Sequence, residues 1–315
     1  MKVGGNRNYG YGKSLAWAGK NALKGRYGKG HFATQAAHAA RWSKFVEFAK
    51  CEGVRDARDL TRETIRSYAS SLAGSVEANT LSVRYAQNLV STVNVVLETM
   101  RGDRQLRISP ARLLGQRVDV RETAPQALDR QRMAEQIARL DQRGHALVAA
   151  IASLARELGL RFREASLLDA RAAYRQAQVS ERIYVTRGTK GGRGKEVDRW
   201  VPVSPLALAT LARATTLQAD RANLIPEGMN FREWRDHAYG VWGRSAEASQ
   251  LAGFHDLRAA YACERYETLT GTPAPVVSGE RRVDRAIDQA ARAVISQEIG
   301  HGRIEVVAAY VGSAR

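Results

Sequence analysis

The stretch that decides the fold lies near the end of the chain, where residues 299–310 read IGHGRIEVVAAY. An apolar residue and a glycine precede His301, and Tyr310 follows nine positions later. Taken alone, His301 is typical of a turn, and Tyr310 is typical of a packed aromatic side chain. The pair becomes informative only together with basic residues that come earlier in the chain.

Four such residues precede it in order: Arg161 in the run ELGLRFRE, then Lys190, then His255 and Arg258 in the run HDLR. An arginine just past a helix usually caps carbonyl groups. A histidine and an arginine three positions apart share a helix face, where they commonly form a solvated surface or an ion pair. Each residue alone therefore has a structural explanation, and only the joint order and spacing favour a shared chemical role.

The composition indicates a polyanionic partner. The chain has 315 residues, with 49 Lys and Arg against 32 Asp and Glu, a net charge of +17, and a pI near 10.3. Such a charge favours binding to a polyanion but does not separate DNA from RNA or an anionic membrane. The length is sufficient for two domains, each with its own core.

A membrane route is disfavoured by the sequence. It contains no run of 18 apolar residues, and residues 1–30 lack the apolar centre of a signal peptide. The two cysteines, Cys51 and Cys263, have no metal-ligand spacing and are expected to be reduced thiols. We expect a cytoplasmic, nucleoid-associated protein.

The N-terminal part divides into an arm and a helical domain. Residues 1–30 hold eight glycines, seven Lys or Arg and no acid, which predicts a flexible basic arm, either merely solvated or in contact with DNA. Helical periodicity then predicts four helices over 31–115, the last opening at Ser109-Pro110. The polar stretch 116–126 is the predicted linker.

Residues 127–315 are predicted to be mainly helical with one strand pair. Two β-rich runs, 183–186 and 197–203, flank a basic, glycine-rich loop that contains Lys190, which predicts a β-hairpin. The loop does not fit a phosphate-binding loop, because Thr189 stands where a glycine is needed and Glu196 where Ser or Thr is needed. A strand rather than a helix also follows it.

These motifs together resemble the tyrosine recombinases, the phage-type integrase family. The run around Arg161 looks like the family's first arginine box, and Lys190 resembles its β-hairpin lysine. His255 and Arg258 match its His-x-x-Arg box, and Ile299-Gly300-His301 is similar to its Leu-Gly-His box. The resemblance implies a mainly α fold, with a four-helix core-binding domain before an α+β catalytic domain over about 127–315.

The resemblance also implies a catalytic set of Arg161, Lys190, His255, Arg258, His301 and Tyr310. Two arginines would bind the oxygens of a scissile phosphate, a task that other nucleases give to metal ions. Tyr310 would attack phosphorus with help from His255, His301 would hydrogen-bond a phosphoryl oxygen, and Lys190 would protonate the leaving 5′ oxygen. Neither a metal nor another cofactor is implied, and Glu164 is expected to orient Arg161.

Partners follow from the same resemblance. It implies a homotetramer on two double-stranded DNA sites, a Holliday-junction intermediate, and possible accessory DNA-bending or excision factors. Two departures stand out: Arg258 and His301 are 43 positions apart, longer than expected, and five residues follow Tyr310. Since many relatives dock a longer C-terminal element on a neighbouring subunit, we expect residues 267–299 or the basic arm to supply the subunit contacts.

Two other functions stay open at this point. A type IB topoisomerase uses related chemistry on one duplex, although the separate N-terminal helical domain and the short spacing from His301 to Tyr310 favour a recombinase. A non-catalytic, sequence-specific DNA-binding protein is the alternative from a different class. A metal-dependent relaxase is disfavoured, because the chain has no His-x-His cluster.

Overall fold

The computed structural model describes residues 5–189, 198–246 and 250–313. The chain divides into two compact units, Met1–Val118 and Asp119–Arg315. Within the described ranges the structure is mainly helical, and its strands form one two-stranded antiparallel sheet. The predicted fold class, mainly α with a small pair of β-strands, is therefore confirmed. No helix in these ranges has the length and apolar character required to span a membrane.

Five α-helices build the N-terminal unit: α1 (Leu15–Tyr27), α2 (Phe32–Cys51), α3 (Arg62–Glu77), α4 (Val83–Arg101) and α5 (Pro110–Leu114). Local sequence explains their ends. A capping box between Thr61 and Thr64 starts α3, and the hydroxyl of Ser82 caps α4, which ends at Gly102 in a left-handed conformation. Helices α2 to α5 lie where four helices were predicted, and α1 is an additional one.

The prediction of a flexible arm over residues 1–30 is wrong for α1. This helix places a stripe of apolar side chains in the core of the N-terminal unit, formed by Leu15, Ala18, Ala22 and Leu23. Before it, Asn8 is fully buried and accepts a hydrogen bond from the backbone N–H of Ala57 at 2.7 Å. A composition averaged over 30 residues conceals this stripe, because four well-placed apolar residues suffice to anchor a helix.

One glycine of α1 is required for packing rather than for flexibility. The buried indole of Trp42 on α2 donates its Nε1–H to the Leu15 carbonyl at 3.0 Å. A Cβ atom at Gly19 would lie 2.0 Å from this indole nitrogen. Only glycine therefore allows α1 and α2 to approach this closely.

The C-terminal unit begins with α6 (Arg130–Gln142), α7 (Ala146–Leu158), α8 (Phe162–Ser166) and α9 (Ala170–Ser180). Strands β1 (Arg182–Tyr184) and β2 (Trp200–Pro202) pair in antiparallel register, with Ile183 opposite Val201 and both fully buried. The rest is helical: α10 (Pro205–Gln218), α11 (Phe231–Ala246), α12 (Phe254–Thr270), α13 (Pro275–Ser278), α14 (Arg285–Glu298) and α15 (Ala308–Val311).

Helices α7 and α12 form the centre of this unit and hold the parts of the site. Nine of the 13 residues of α7 are buried, so the helix is apolar on nearly all sides. It ends at Gly159, whose φ is +59°. The Tyr261 ring of α12 lies 2.5 Å from the position that a Cβ at Gly159 would take, so both the backbone conformation and the space require glycine.

The division between the units falls inside the predicted linker 116–126. From Asp119 onward the chain belongs to the C-terminal unit. There Arg121 donates its backbone N–H to the Ala308 carbonyl at 2.9 Å and pairs through its guanidinium with Asp256. The second half of the predicted linker is thus a structural part of the C-terminal unit.

We predict that Gly19→Ala lowers the free energy of unfolding by about 1–3 kcal/mol, because the new methyl group overlaps the buried Trp42 ring. Urea unfolding of the whole chain measures this. Gly25→Ala is the matched control: it lies on the same helix with open space around it, so it should be stabilising by about 0.5–1 kcal/mol. Equal effects of the two substitutions would contradict the packing role of Gly19.

Candidate active site

A fully buried carboxylate, that of Glu164, lies at the centre of the C-terminal unit's basic residues. It accepts the backbone N–H of Arg161 at 2.7 Å and the Nη1–H of the same residue at 2.6 Å. Arg199 Nη1 lies 2.7 Å from one carboxylate oxygen and Arg258 Nη1 lies 3.6 Å from the other. One negative charge therefore holds three guanidinium groups.

The charge on Glu164 is stable to acid. Burial by itself would raise the pKa of this carboxyl, but the positive charges of Arg199, Arg258 and Arg161 outweigh it and hold the pKa at about 2. Its hydrogen bond from the backbone N–H of Arg161, the N-cap residue of α8, is that of a capping box. The same side chain thus fixes the backbone of Arg161 and the direction of its guanidinium.

Arg258, on α12, connects three separate segments. Its Nη1–H and Nη2–H groups donate to the carbonyls of Gly159 and Ile299, and its Nε–H donates to the Tyr310 hydroxyl at 3.4 Å. The side chain is 1% exposed. Burial lowers the pKa of Arg258 to about 10, so the group stays charged at neutral pH.

The Tyr310 hydroxyl lies among these basic groups. It is within 2.9 Å of His301 Nε2, and the same nitrogen is 3.3 Å from Arg161 Nη2. The guanidinium carbon of Arg258 lies 5.6 Å from the centroid of the Tyr310 ring, within the range of a cation–π interaction. Tyr310 is itself 3% exposed.

His255 approaches the tyrosine from the solvent side. Its exposed ring lies 5.2 Å from the Tyr310 ring, centroid to centroid. Partial desolvation by the neighbouring groups lowers the pKa of His255, and the positive charges of Arg258 and Arg121 lower it further. The imidazole is therefore neutral at pH 7 and able to accept a proton.

Five of the six predicted site residues thus lie together: Arg161, His255, Arg258, His301 and Tyr310. Lys190 lies outside the residues that the structure describes. Of the two histidines, His301 hydrogen-bonds the Tyr310 hydroxyl, whereas His255 contacts the tyrosine ring.

Arg199 was missed by the sequence reasoning. It is 1% exposed, pairs with Glu164, and donates its Nε–H to the Glu298 carbonyl at 2.8 Å. The alternation of side chains along a strand could have indicated its burial. Arg199 directly precedes β2 and is two positions from the buried Val201, so the two side chains point to the same face. The position of Arg199 directly after a basic loop made it resemble one more surface charge.

Residues 115–264 match a family model described as Integrase. This match supports the phage-type integrase, or tyrosine recombinase, family. The matched segment contains Arg161, His255 and Arg258 and ends before His301.

Two solved structures are similar to this chain. A lambda integrase dimer bound to a COC′ core site has a TM-score of 0.57 and 16% identity, with 93% of each chain covered. An integrase from mycobacterium phage Brujita has a TM-score of 0.37 and 18% identity, again with 93% of each chain covered. The similarity to the lambda integrase structure shows a shared fold. The similarity to the phage Brujita integrase has too low a TM-score to support an argument. No curated protein matches the chain.

We predict that Glu164→Gln lowers the free energy of unfolding at pH 7 by about 3–5 kcal/mol, because it leaves the buried Arg199 and Arg258 and the partly buried Arg161 without their counterion. The pKa of Glu164 is lower in the folded chain than its ordinary value of 4.5, so its contribution is complete above about pH 4.5 and disappears as the pH falls toward 2. The difference between wild type and variant should therefore shrink over this window.

Urea unfolding at a series of pH values measures that difference. Glu227→Gln is the control, because Glu227 is exposed; its effect should stay within about 0.5 kcal/mol at every pH. A difference between wild type and Glu164→Gln that stayed constant from pH 7 to pH 2 would show that Glu164 is not the charged centre of the cluster.

Proposed function

We propose that this protein is a site-specific DNA recombinase of the integrase type that cleaves and rejoins strands through a 3′-phosphotyrosyl intermediate, without a metal ion or ATP. One observation carries the proposal: the Tyr310 hydroxyl lies within hydrogen-bond distance of both His301 and Arg258. A buried phenol that only packed in the core would not need two basic partners at its oxygen, whereas a nucleophile that attacks an anion does.

Two arginines supply the positive charge that the reaction needs. A phosphodiester repels nucleophiles, and its transition state carries more negative charge on the equatorial oxygens. Arg161 and Arg258 are held by Glu164 and by backbone carbonyls before any substrate arrives. Since each guanidinium has five N–H donors, both retain donors for phosphate oxygens after these contacts are made. Preorganised donors of this kind stabilise the transition state without having to reorient.

The proton of Tyr310 needs an acceptor. His255 is neutral at pH 7 and its ring lies against the tyrosine, which supports it as the group that assists proton removal. His301 hydrogen-bonds the hydroxyl in the DNA-free chain. We infer that His301 turns to a phosphoryl oxygen once the scissile phosphate enters between Tyr310 and Arg161.

The proposed cleavage of the DNA strand is a transesterification. The bond from the Tyr310 oxygen to phosphorus forms, the bond from phosphorus to the 5′ oxygen breaks, and Lys190 gives the departing oxygen a proton. The covalent phosphotyrosyl bond conserves the energy of the broken one, so a 5′ hydroxyl from another strand can reverse the reaction.

The proposed substrate is double-stranded DNA at two recombination sites. The net charge of +17 fits a protein that neutralises many phosphates. We propose that the N-terminal unit, with α1 as part of its core, is the core-binding domain and that four copies exchange strands through a Holliday junction. Integration and excision of a mobile element would be the biological outcome.

A nicked suicide substrate tests the nucleophile. We predict that wild type accumulates a covalent protein–DNA adduct, because the short fragment beyond the nick diffuses away and cannot reseal, and that Tyr310→Phe forms none. Denaturing gel electrophoresis measures the adduct, and a gel-shift assay confirms that the variant still binds DNA. If wild type formed no adduct, the protein would be a non-catalytic DNA-binding protein. If Tyr310→Phe still formed the adduct, Tyr310 would be excluded as the nucleophile.

A substrate with a sulfur at the 5′ bridging position tests Lys190. We predict that Lys190→Ala slows cleavage of the ordinary substrate by about 10²–10⁴-fold, because the leaving oxygen loses its general acid. A thiolate leaves without protonation, so the sulfur substrate should restore the rate of Lys190→Ala but not that of Arg161→Gln. Equal slowing of Lys190→Ala on both substrates would exclude the general-acid role.

A further inference from the structure

The tyrosine lies on a helix too short to hold itself in place. Helix α15 comprises four residues, Ala308–Val311. Isolated helices shorter than about 12–15 residues are marginal in water, so tertiary contacts must set the position of this one. The question is which side chains fix it.

A buried arginine of α14 provides two of these contacts. Arg292 donates its Nη1–H to the Gly312 carbonyl and its Nη2–H to the Ser313 carbonyl, both at 3.1 Å. These carbonyls directly follow α15, where carbonyl groups lack the N–H donors that a further helical turn would provide. The guanidinium therefore caps the tyrosine-bearing helix and carries the positive charge that a helix C-terminus favours.

The arginine is itself oriented by two residues. Its Nε–H donates to the fully buried Asp288 at 2.8 Å, and the Tyr266 hydroxyl of α12 donates to the same carboxylate at 2.9 Å. Helix α12 also carries Arg258. The chain of contacts from α12 through Asp288 and Arg292 thus ends on the backbone that follows Tyr310.

A glycine completes the attachment. Gly312 has a φ of +89°, and a Cβ there would lie 2.7 Å from the backbone nitrogen of Val276 on α13. Helices α13 and α14 both belong to the long segment between Arg258 and His301 that the sequence marked as a departure from the family pattern.

We propose that Arg292, oriented by Asp288, is a positioning residue for the nucleophile. It holds the backbone after Tyr310 so that the hydroxyl stays on His301 and Arg258 of the same chain. The inference rests on the proposed function of Tyr310, and it gives the long segment a role in assembling the cleavage centre.

Three variants of the full chain separate positioning from general stability. Arg292→Met removes both carbonyl contacts, Arg292→Lys keeps a charge beside Asp288 but cannot reach two carbonyls with a planar fork, and Arg285→Met removes an exposed arginine of the same helix. Single-turnover adduct formation at saturating DNA, DNA affinity, and hydrogen exchange of residues 304–313 are measured for each.

For Arg292→Met we expect adduct formation to slow by roughly 100-fold, since a displacement of about 1 Å at a reacting group has this effect. Hydrogen exchange of residues 304–313 should accelerate by about 10-fold, while DNA affinity and the exchange of α7 change by less than about twofold. The rates of adduct formation and hydrogen exchange for Arg292→Lys should lie between those of wild type and Arg292→Met. Both rates for Arg285→Met should equal those of wild type.

An adduct rate for Arg292→Met equal to that of wild type overturns the proposal and leaves the proposed function intact. Faster exchange throughout residues 119–313 shows a merely structural role and also overturns it. Gly312→Ala then gives an independent check with Arg292 intact, since it too should slow adduct formation. Failure of wild type to form any adduct instead refutes the proposed function.

Discussion

The buried carboxylate of Glu164 is the constraint on which the rest of the C-terminal unit depends. Burying one ion costs several kcal/mol. The buried Arg199 and Arg258 and the partly buried Arg161 share Glu164 as a counterion, and Arg199 and Arg258 also donate to backbone carbonyls. The arrangement resolves a conflict inherent in the proposed chemistry. A phosphate site needs fixed positive charge, yet fixed positive charges repel one another. One central anion lets Arg161, Arg199 and Arg258 remain charged and close together.

Backbone carbonyls do as much as side chains to define the site. Arg258 binds the carbonyls of Gly159 and Ile299, which end α7 and α14. Position 159 requires glycine, because its backbone is left-handed and a Cβ there would overlap the Tyr261 ring. Gly159 and Gly300, which both have a positive φ, therefore do more than reverse the chain. The turns at these glycines set the positions of the nearby Arg161 and His301.

The N-terminal unit shows where a compositional argument fails. Glycine and lysine content over residues 1–30 indicates disorder, yet Asn8, Gly19 and the apolar stripe of α1 each have a specific partner in the core. Periodicity within 13 residues, not composition over 30, carried the information. By contrast, the periodic faces of α2 and α4 were long enough to predict these helices.

The sequence by itself determined the mainly helical fold, the hairpin, and the order of the basic residues that precede Tyr310. It could do so because helix periodicity and motif spacing are local properties of the chain. Only the tertiary structure decided that His301 rather than His255 binds the Tyr310 hydroxyl, and that Arg199 belongs to the cluster. The cluster joins residues that are far apart in the chain, such as Arg161 and His301, which are 140 positions apart. Whether a charge is buried beside a partner depends on packing that no local pattern encodes.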